Sequence, residues 1–258
     1  MFGRRSPWQK EWDKLLKKEQ ALVDKKLAAK QSKLNTLLAQ KVPPNLQSTL
    51  DTAFEKAFRL VFQKGTRIIE KTYNKTKMEE EYDINNHIEK VRKNAKSLKT
   101  FQKSAGKKGT GNLVFSGISG VGLGVLGIGI PDIVLFVAVM LKSLYEISLS
   151  YGYDYTTDRE KQFILLLIRA ALGRDDFETN NARVDTFIET GYLEVFPMEY
   201  SIKDTSGLLS KELLYMKFLQ GVPIVGAVGG AYDFVYTKQI LDYAKIKYYK
   251  RFLVERKR

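Results

Sequence analysis

The sequence predicts an all-α fold, a multi-helix bundle. Three observations predict it. Apolar residues recur at helical spacing through most of the chain. Prolines, glycines and small polar residues stand where helices would start and stop. Runs that alternate apolar and polar residues are almost absent. Two units are expected: a basic amphipathic N-terminal helix over 1–44 and a helical domain over 45–258.

The first element is a long helix over 7–41. Ser6 can cap it, Pro7 suits its first position, and Pro43 and Pro44 stop it. Trp8, Trp12, Leu15, Leu16, Leu22, Val23, Leu27, Leu34, Leu37 and Leu38 recur along it. Its polar face carries Lys10, Lys14, Lys17, Lys18, Lys25, Lys26, Lys30 and Lys33. A basic amphipathic helix with tryptophan near one end suits a membrane surface, and it equally suits a bundle with a solvated lysine face.

A second helix runs from Asn45 to about residue 75, with Leu46, Leu50, Phe54, Phe58, Val61 and Phe62 as its stripe. The charged stretch after it is expected to be helical in its second half. There Lys90, Arg92, Lys93, Lys96, Lys99, Lys103, Lys107 and Lys108 make a dense basic run.

From Leu113 to Leu141 the only charge is Asp132. The stretch is longer than the roughly 20 residues of a spanning helix. Pro131 and Asp132 divide it into a glycine-rich helix and an aliphatic one that starts near Pro131, with Asp132 in its dipole-favoured first turn. Gly152 ends the aliphatic helix, and Thr157 with Glu160 spells a capping box for the next. That helix closes at Gly173, and "ARVDTFIETG" closes at Gly191. Residues 193–207 read as an irregular connection, with "YLEVF" a possible short strand, and "LLSKELLYMKFLQ" follows as a helix. The last segment opens at Pro223, starts apolar and glycine-rich, and ends basic and rich in tyrosine, so that Lys238–Arg258 is expected to form a second basic flank beside Lys90–Lys108.

The glycine-rich run contains Gly122-x-Gly124-x-x-Gly127, the pattern of a dinucleotide loop. That loop needs an uninterrupted helix, and Pro131 falls within its first turn. No βα alternation follows. A P-loop fails because Lys108 follows Lys107, and a nucleophile elbow fails because Val121 replaces its second glycine. The small residues make ridges instead: Ser116, Gly120 and Gly124 in one segment, Gly226 and Gly230 in the other. These two ridges are expected to pack on each other, inside the protein or in lipid.

Composition narrows the chemistry. The chain of 258 residues holds 43 Lys and Arg against 29 Asp and Glu, a net charge of +14 that favours a polyanionic neighbour. It has no cysteine, which excludes disulfides and thiolate zinc sites. His87, the only histidine, lies in a charged helical run and reads as solvated. No cofactor or metal is expected. No secretory signal is visible at the start, so a cytoplasmic start is expected.

Taken in order, "GIPDIVLFVAVMLKSLYEISLSYGYD" and "VPIVGAVGGAYDFVYTKQILDYAKIKYYKRF" resemble the EcsC family of bacteria. The residues that carry the resemblance are Gly129, Pro131, Asp132, Tyr151, Gly152, Tyr153 and Asp154, then Pro223, Gly226, Gly230 and Arg251. It spans roughly 45–254. Asp233 departs from the asparagine expected near it. The resemblance implies a mainly helical protein, often encoded beside an ABC transporter, with no defined activity.

Three function classes follow. The first is a membrane-associated accessory protein on the cytoplasmic side, peripheral or partly inserted. Its partners would be an anionic membrane surface and ABC transporter subunits. The second is a hydrolase-like enzyme, with Asp132, Asp154 and Asp233 as candidate catalytic acids. The third is nucleic-acid binding through the interleaved tyrosines and bases of "YAKIKYYKRFLVERKR", disfavoured because no known reader motif is present.

Overall fold

A computed structural model describes residues 5–30, 44–107, 131–194, 196–219 and 231–257. Among them every regular element is helical. In chain order these are α1 (Pro7–Lys30), α2 (Pro44–Leu60), a π-helical turn (Val61–Gly65), α3 (Thr66–Glu70), α4 (Lys75–Arg92) and α5 (Ala95–Lys107). Then come α6 (Pro131–Ser150), α7 (Asp158–Leu172), α8 (Phe177–Thr190), α9 (Met198–Leu219) and α10 (Ala231–Glu255).

Two helices form the axis. The aliphatic α6 packs against α2, α4 and α5, while α10 packs against α1, α7 and α8. The axis helices touch each other, and α9 joins α2 to α7. Within α6, the window Ile133–Ser150 has mean hydropathy 1.8, apolar and long enough to cross a membrane, yet 89% of it is buried against its neighbours. Its Phe136 meets Phe54 of α2 edge-on, with ring centroids 6.2 Å apart, and its buried side chains share one core with those of α2 and α5.

The local starts and stops follow the sequence. Ser6 Oγ accepts the Gln9 amide at 3.1 Å, and Gln9 Oε1 accepts the Ser6 amide at 2.8 Å, a reciprocal cap. Asn74 caps α4 through the Lys77 amide at 2.8 Å. Gly191 closes α8 with φ +71°, and Gly152 turns the chain after α6 with φ +81°.

Three segments differ from expectation. The stretch before residue 90 is helical too: α4 begins at Lys75, its acids Glu79, Glu80 and Glu81 lie toward its N-terminal end, and its buried face is narrow, Met78 and Glu89. The predicted second helix is interrupted by the π-helical turn, where Thr66 Oγ1 donates to Val61 O at 3.0 Å. Residues 198–207 are helix, not an irregular connection, and "YLEVF" forms no strand among its described residues. Pro197 O accepts the first amides, Tyr200 N at 2.9 Å and Ser201 N at 3.2 Å. The small residues Ser201, Thr205, Ser206 and Ser210 are fully buried there, and such a stripe permits close approach to α2. Ser210 donates to Asp51, and Gln47 bonds both, at 2.7 Å to Asp51 and 2.6 Å to Ser210.

Candidate functional site

The turn between α6 and α7 is tied down by its own hydrogen bonds. Ser148 O accepts the Tyr153 amide at 3.1 Å, and Ser148 Oγ donates to Tyr153 O at 2.7 Å. This pins the turn on α6 and sends Tyr151, Tyr153 and Tyr155 inward, all buried. Tyr155 stacks on Tyr145 with ring centroids 4.1 Å apart, and its hydroxyl donates to Glu70 at 2.5 Å. Gly152 has its back against the ring of Tyr82; a Cβ there would lie 2.3 Å from it.

Arg251 of α10 reaches this turn. Its guanidinium lies 3.7 Å from the centroid of the Tyr153 ring and donates to Glu160 at 2.8 Å. Tyr248 donates to the other oxygen of Glu160 at 2.7 Å. The expected capping box is therefore half formed. Thr157 Oγ1 accepts the Glu160 amide at 3.2 Å, but the Glu160 carboxylate goes to α10. Burial lowers the Arg251 pKa, yet the Glu160 carboxylate outweighs it and holds the group above its ordinary value.

One turn earlier, α10 holds a second internal charge cluster. Lys247 bonds Glu19 of α1, and Asp185 of α8 at 2.7 Å. Lys250 reaches the same Asp185 at 2.8 Å and Glu19 at 3.0 Å. The Lys247 side chain is 1% exposed. The inner face of α1 is thus acidic: Glu11, Leu15 and Glu19 are buried along one stripe. Trp8, near the start of α1, donates its indole N–H to Leu253 O at 2.8 Å and stacks on Trp12. It anchors α1 on α10.

These contacts change two expectations. The tyrosines proposed for base stacking, Tyr243, Tyr248 and Tyr249, are fully buried, and burial pushes their hydroxyls up. They offer no face to a nucleic acid. The basic C-terminal end is largely an internal counter-charge rather than a free basic flank: Lys247, Lys250, Arg251 and Arg256 each pair with an acid.

Among the candidate acids, Asp154 is exposed and shapes the turn. Its Oδ1 accepts the Thr156 amide at 2.9 Å and the Thr156 hydroxyl at 2.7 Å. Burial raises its pKa, but these bonds with the charges of Lys75 and Lys161 outweigh that and lower it. Asp132 lies in the first turn of α6 and Asp233 in that of α10; their side chains lie outside the described residues. So do Ser116, Gly120, Gly124, Gly226, Gly230 and Lys108, and the side chain of Lys107. Among the described residues no three His, Asp or Glu side chains are grouped to hold a metal.

A pocket of about 400 Å³ opens where the C-terminal half of α1 meets the end of α7, with α9 and α10 as its other walls. Leu22, Leu172, Val235 and Tyr243 line it, together with Lys25, Lys26, Arg174 and Lys238. Arg174 is bound to Glu212 by a two-pronged contact at 2.8–3.0 Å, and Lys238 to Asp242. Lys26 donates to the Ala171 carbonyl, which also accepts Gln239 at 2.6 Å. Burial lowers the Lys26 pKa to about 8. The sequence alone did not point to this pocket, because its walls come from segments far apart in the chain.

A charged lysine held this way costs stability. Lys26→Met is expected to stabilise the fold by about 1–3 kcal/mol at pH 7, since Gln239 still satisfies Ala171 O. The folded protein binds fewer protons than the unfolded chain between pH about 8 and the ordinary lysine value of 10.5. Wild-type stability therefore gains on the variant as pH rises through that window. Urea unfolding of both proteins at pH 7 and pH 10 checks it; equal stability at pH 7 would refute the burial cost.

The EcsC protein family model matches residues 9–253 of the chain. The chain belongs to the EcsC family. Protein EcsC of Bacillus subtilis (strain 168) is 24% identical over 235 residues, covering 86% of each chain. No solved structure matches. The match begins inside α1, well before the 45–254 over which the motifs carry the resemblance.

Within this EcsC chain the motif residues Gly152, Tyr153 and Arg251 converge on one place. Gly152 permits the turn, Tyr153 supplies the ring, and Arg251 lies over that ring while holding Glu160. Their joint work is to lock α6, α7 and α10 together.

Proposed function

We propose that this EcsC-family chain is a non-enzymatic accessory protein that docks on an anionic membrane surface from the cytoplasmic side. The reading rests chiefly on how its charge is sorted. Lys90, Arg92, Lys93, Lys96, Lys99 and Lys103 are exposed along the α4–α5 hairpin. Apart from a 3.8 Å contact of Lys99, none of these pairs with an acid among the described residues. Glu11 joins this face to that of α1: its Oε1 lies 2.9 Å from Lys14 and 3.8 Å from Lys99. The exposed Lys10, Lys14, Lys17 and Lys18 thereby extend the hairpin's basic face. Val91, 69% exposed, stands between Lys90 and Arg92 and offers an apolar contact for the headgroup region.

Each lysine or arginine near an anionic surface adds about 1 kcal/mol, so the face as a whole is worth several. The resemblance adds the partner: subunits of an ABC transporter in that membrane. The Lys93→Glu/Lys96→Glu variant is expected to lose about tenfold or more in partition onto phosphatidylserine vesicles. Lys203→Glu/Lys211→Glu, on exposed positions of α9, should change little. Co-sedimentation with anionic and neutral vesicles reads this out. Wild-type protein that stays in solution with anionic vesicles at low salt would overturn the reading.

A further inference from the structure

The pocket walled by α1, α7, α9 and α10 combines two features that the surface reading does not use. Its body is apolar: Leu22, Leu172 and Val235 line it. Tyr243 adds only its ring, because its hydroxyl is committed to Asn181 at 2.9 Å. Its charge is unbalanced. Glu212 is held by Arg174 and Asp242 by Lys238, so the acids are already matched. Lys25 and Lys26 make no ion pair among the described residues, and Lys26 feels the Glu212 charge only at a distance. An ammonium has three donors, and the Ala171 carbonyl takes one from Lys26. A cavity of this size with apolar walls and a desolvated cation that lacks an ion pair has the makings of a small-molecule site.

We propose that this pocket binds a single-chain amphiphile, its apolar chain against Leu22, Leu172 and Val235 and its anionic head on Lys26. The binding is independent of the basic face on α4 and α5. A carboxylate or a phosphate head satisfies the remaining Lys26 donors, and Lys25 at the exposed edge adds a second positive charge. A neutral head leaves those donors unmet, and a cationic one is repelled. Ligand charge also offsets the desolvation of Lys26, so the ligand stabilises the folded protein.

Calorimetric titration of the full chain with dodecanoate, dodecyl phosphate, dodecanol and dodecyltrimethylammonium, each below its micellar concentration, tests this. At least one anion is expected to bind about tenfold or more tightly than dodecanol, and the tighter anion identifies the head. The cationic probe should not bind. Lys26→Met should remove that tenfold preference, Lys26→Arg should keep it, and Val235→Trp should weaken every probe by filling the mouth. Anions that bind no better than dodecanol would overturn the proposal. So would anion binding that survives Lys26→Met, or probe binding untouched by Val235→Trp. Should Lys26→Met not fold, Val235→Trp and the head-group series decide alone.

Discussion

Gly152→Ala is expected to destabilise the protein by about 2–5 kcal/mol, a large part of the roughly 5–15 kcal/mol that holds a domain together. Two costs add. The backbone at Gly152 has φ +81°, where an L residue pays about 1–2 kcal/mol. A Cβ would also lie 2.3 Å from the far end of the Tyr82 ring, a half-buried side chain that packs edge-on against the buried Phe101 and would have to shift. Urea unfolding measures the loss. The Gly152→Ala/Tyr82→Leu double variant separates the costs: it removes the clash and keeps the backbone strain. A loss below about 1 kcal/mol for Gly152→Ala would mean that turn and ring both relax freely.

Arg251→Met should cost about 3–5 kcal/mol. Methionine replaces most of the volume, but Glu160, 4% exposed, is left with the Tyr248 hydroxyl as its remaining side-chain partner. The damage comes from the stranded carboxylate rather than the lost cation. Arg251→Met/Glu160→Leu should therefore recover most of the stability, because two apolar side chains replace the pair. A double variant as unstable as Arg251→Met would assign the loss to the stacking on Tyr153 instead.

What could be read from the sequence follows from how local each signal is. Pro7, Pro131, Thr157, Gly173 and Gly191 act on neighbours within a turn, and the helix limits they mark agree with the structure to within a residue. The helix over 198–207 was missed because Ser201, Asp204, Thr205, Ser206 and Gly207 have loop-like propensities. Close packing on α2 overrides them, and nothing within the segment announces that neighbour. The reading of α10 as a basic flank failed for a similar reason. Lys247 and Arg251 look like surface residues until Glu19, Asp185 and Glu160 are brought to them from distant parts of the chain. The motif residues were legible as a set, but only their convergence on Tyr153 and Arg251 gives them a physical task.

The internal pairing of α10 has a consequence for how the molecule moves. With those cations neutralised inside, exposed positive charge gathers on α1, α5 and the C-terminal end of α4, while the acids Asp175, Asp176 and Glu189 stand exposed on and beside α8. Such a separation is an electric dipole. Docking as proposed would begin with a torque on this dipole in the field of an anionic bilayer, turning the α4–α5 hairpin forward before any atom touches. Diffusion would then deliver the protein already oriented, and the productive fraction of encounters would fall as salt shortens the reach of that field.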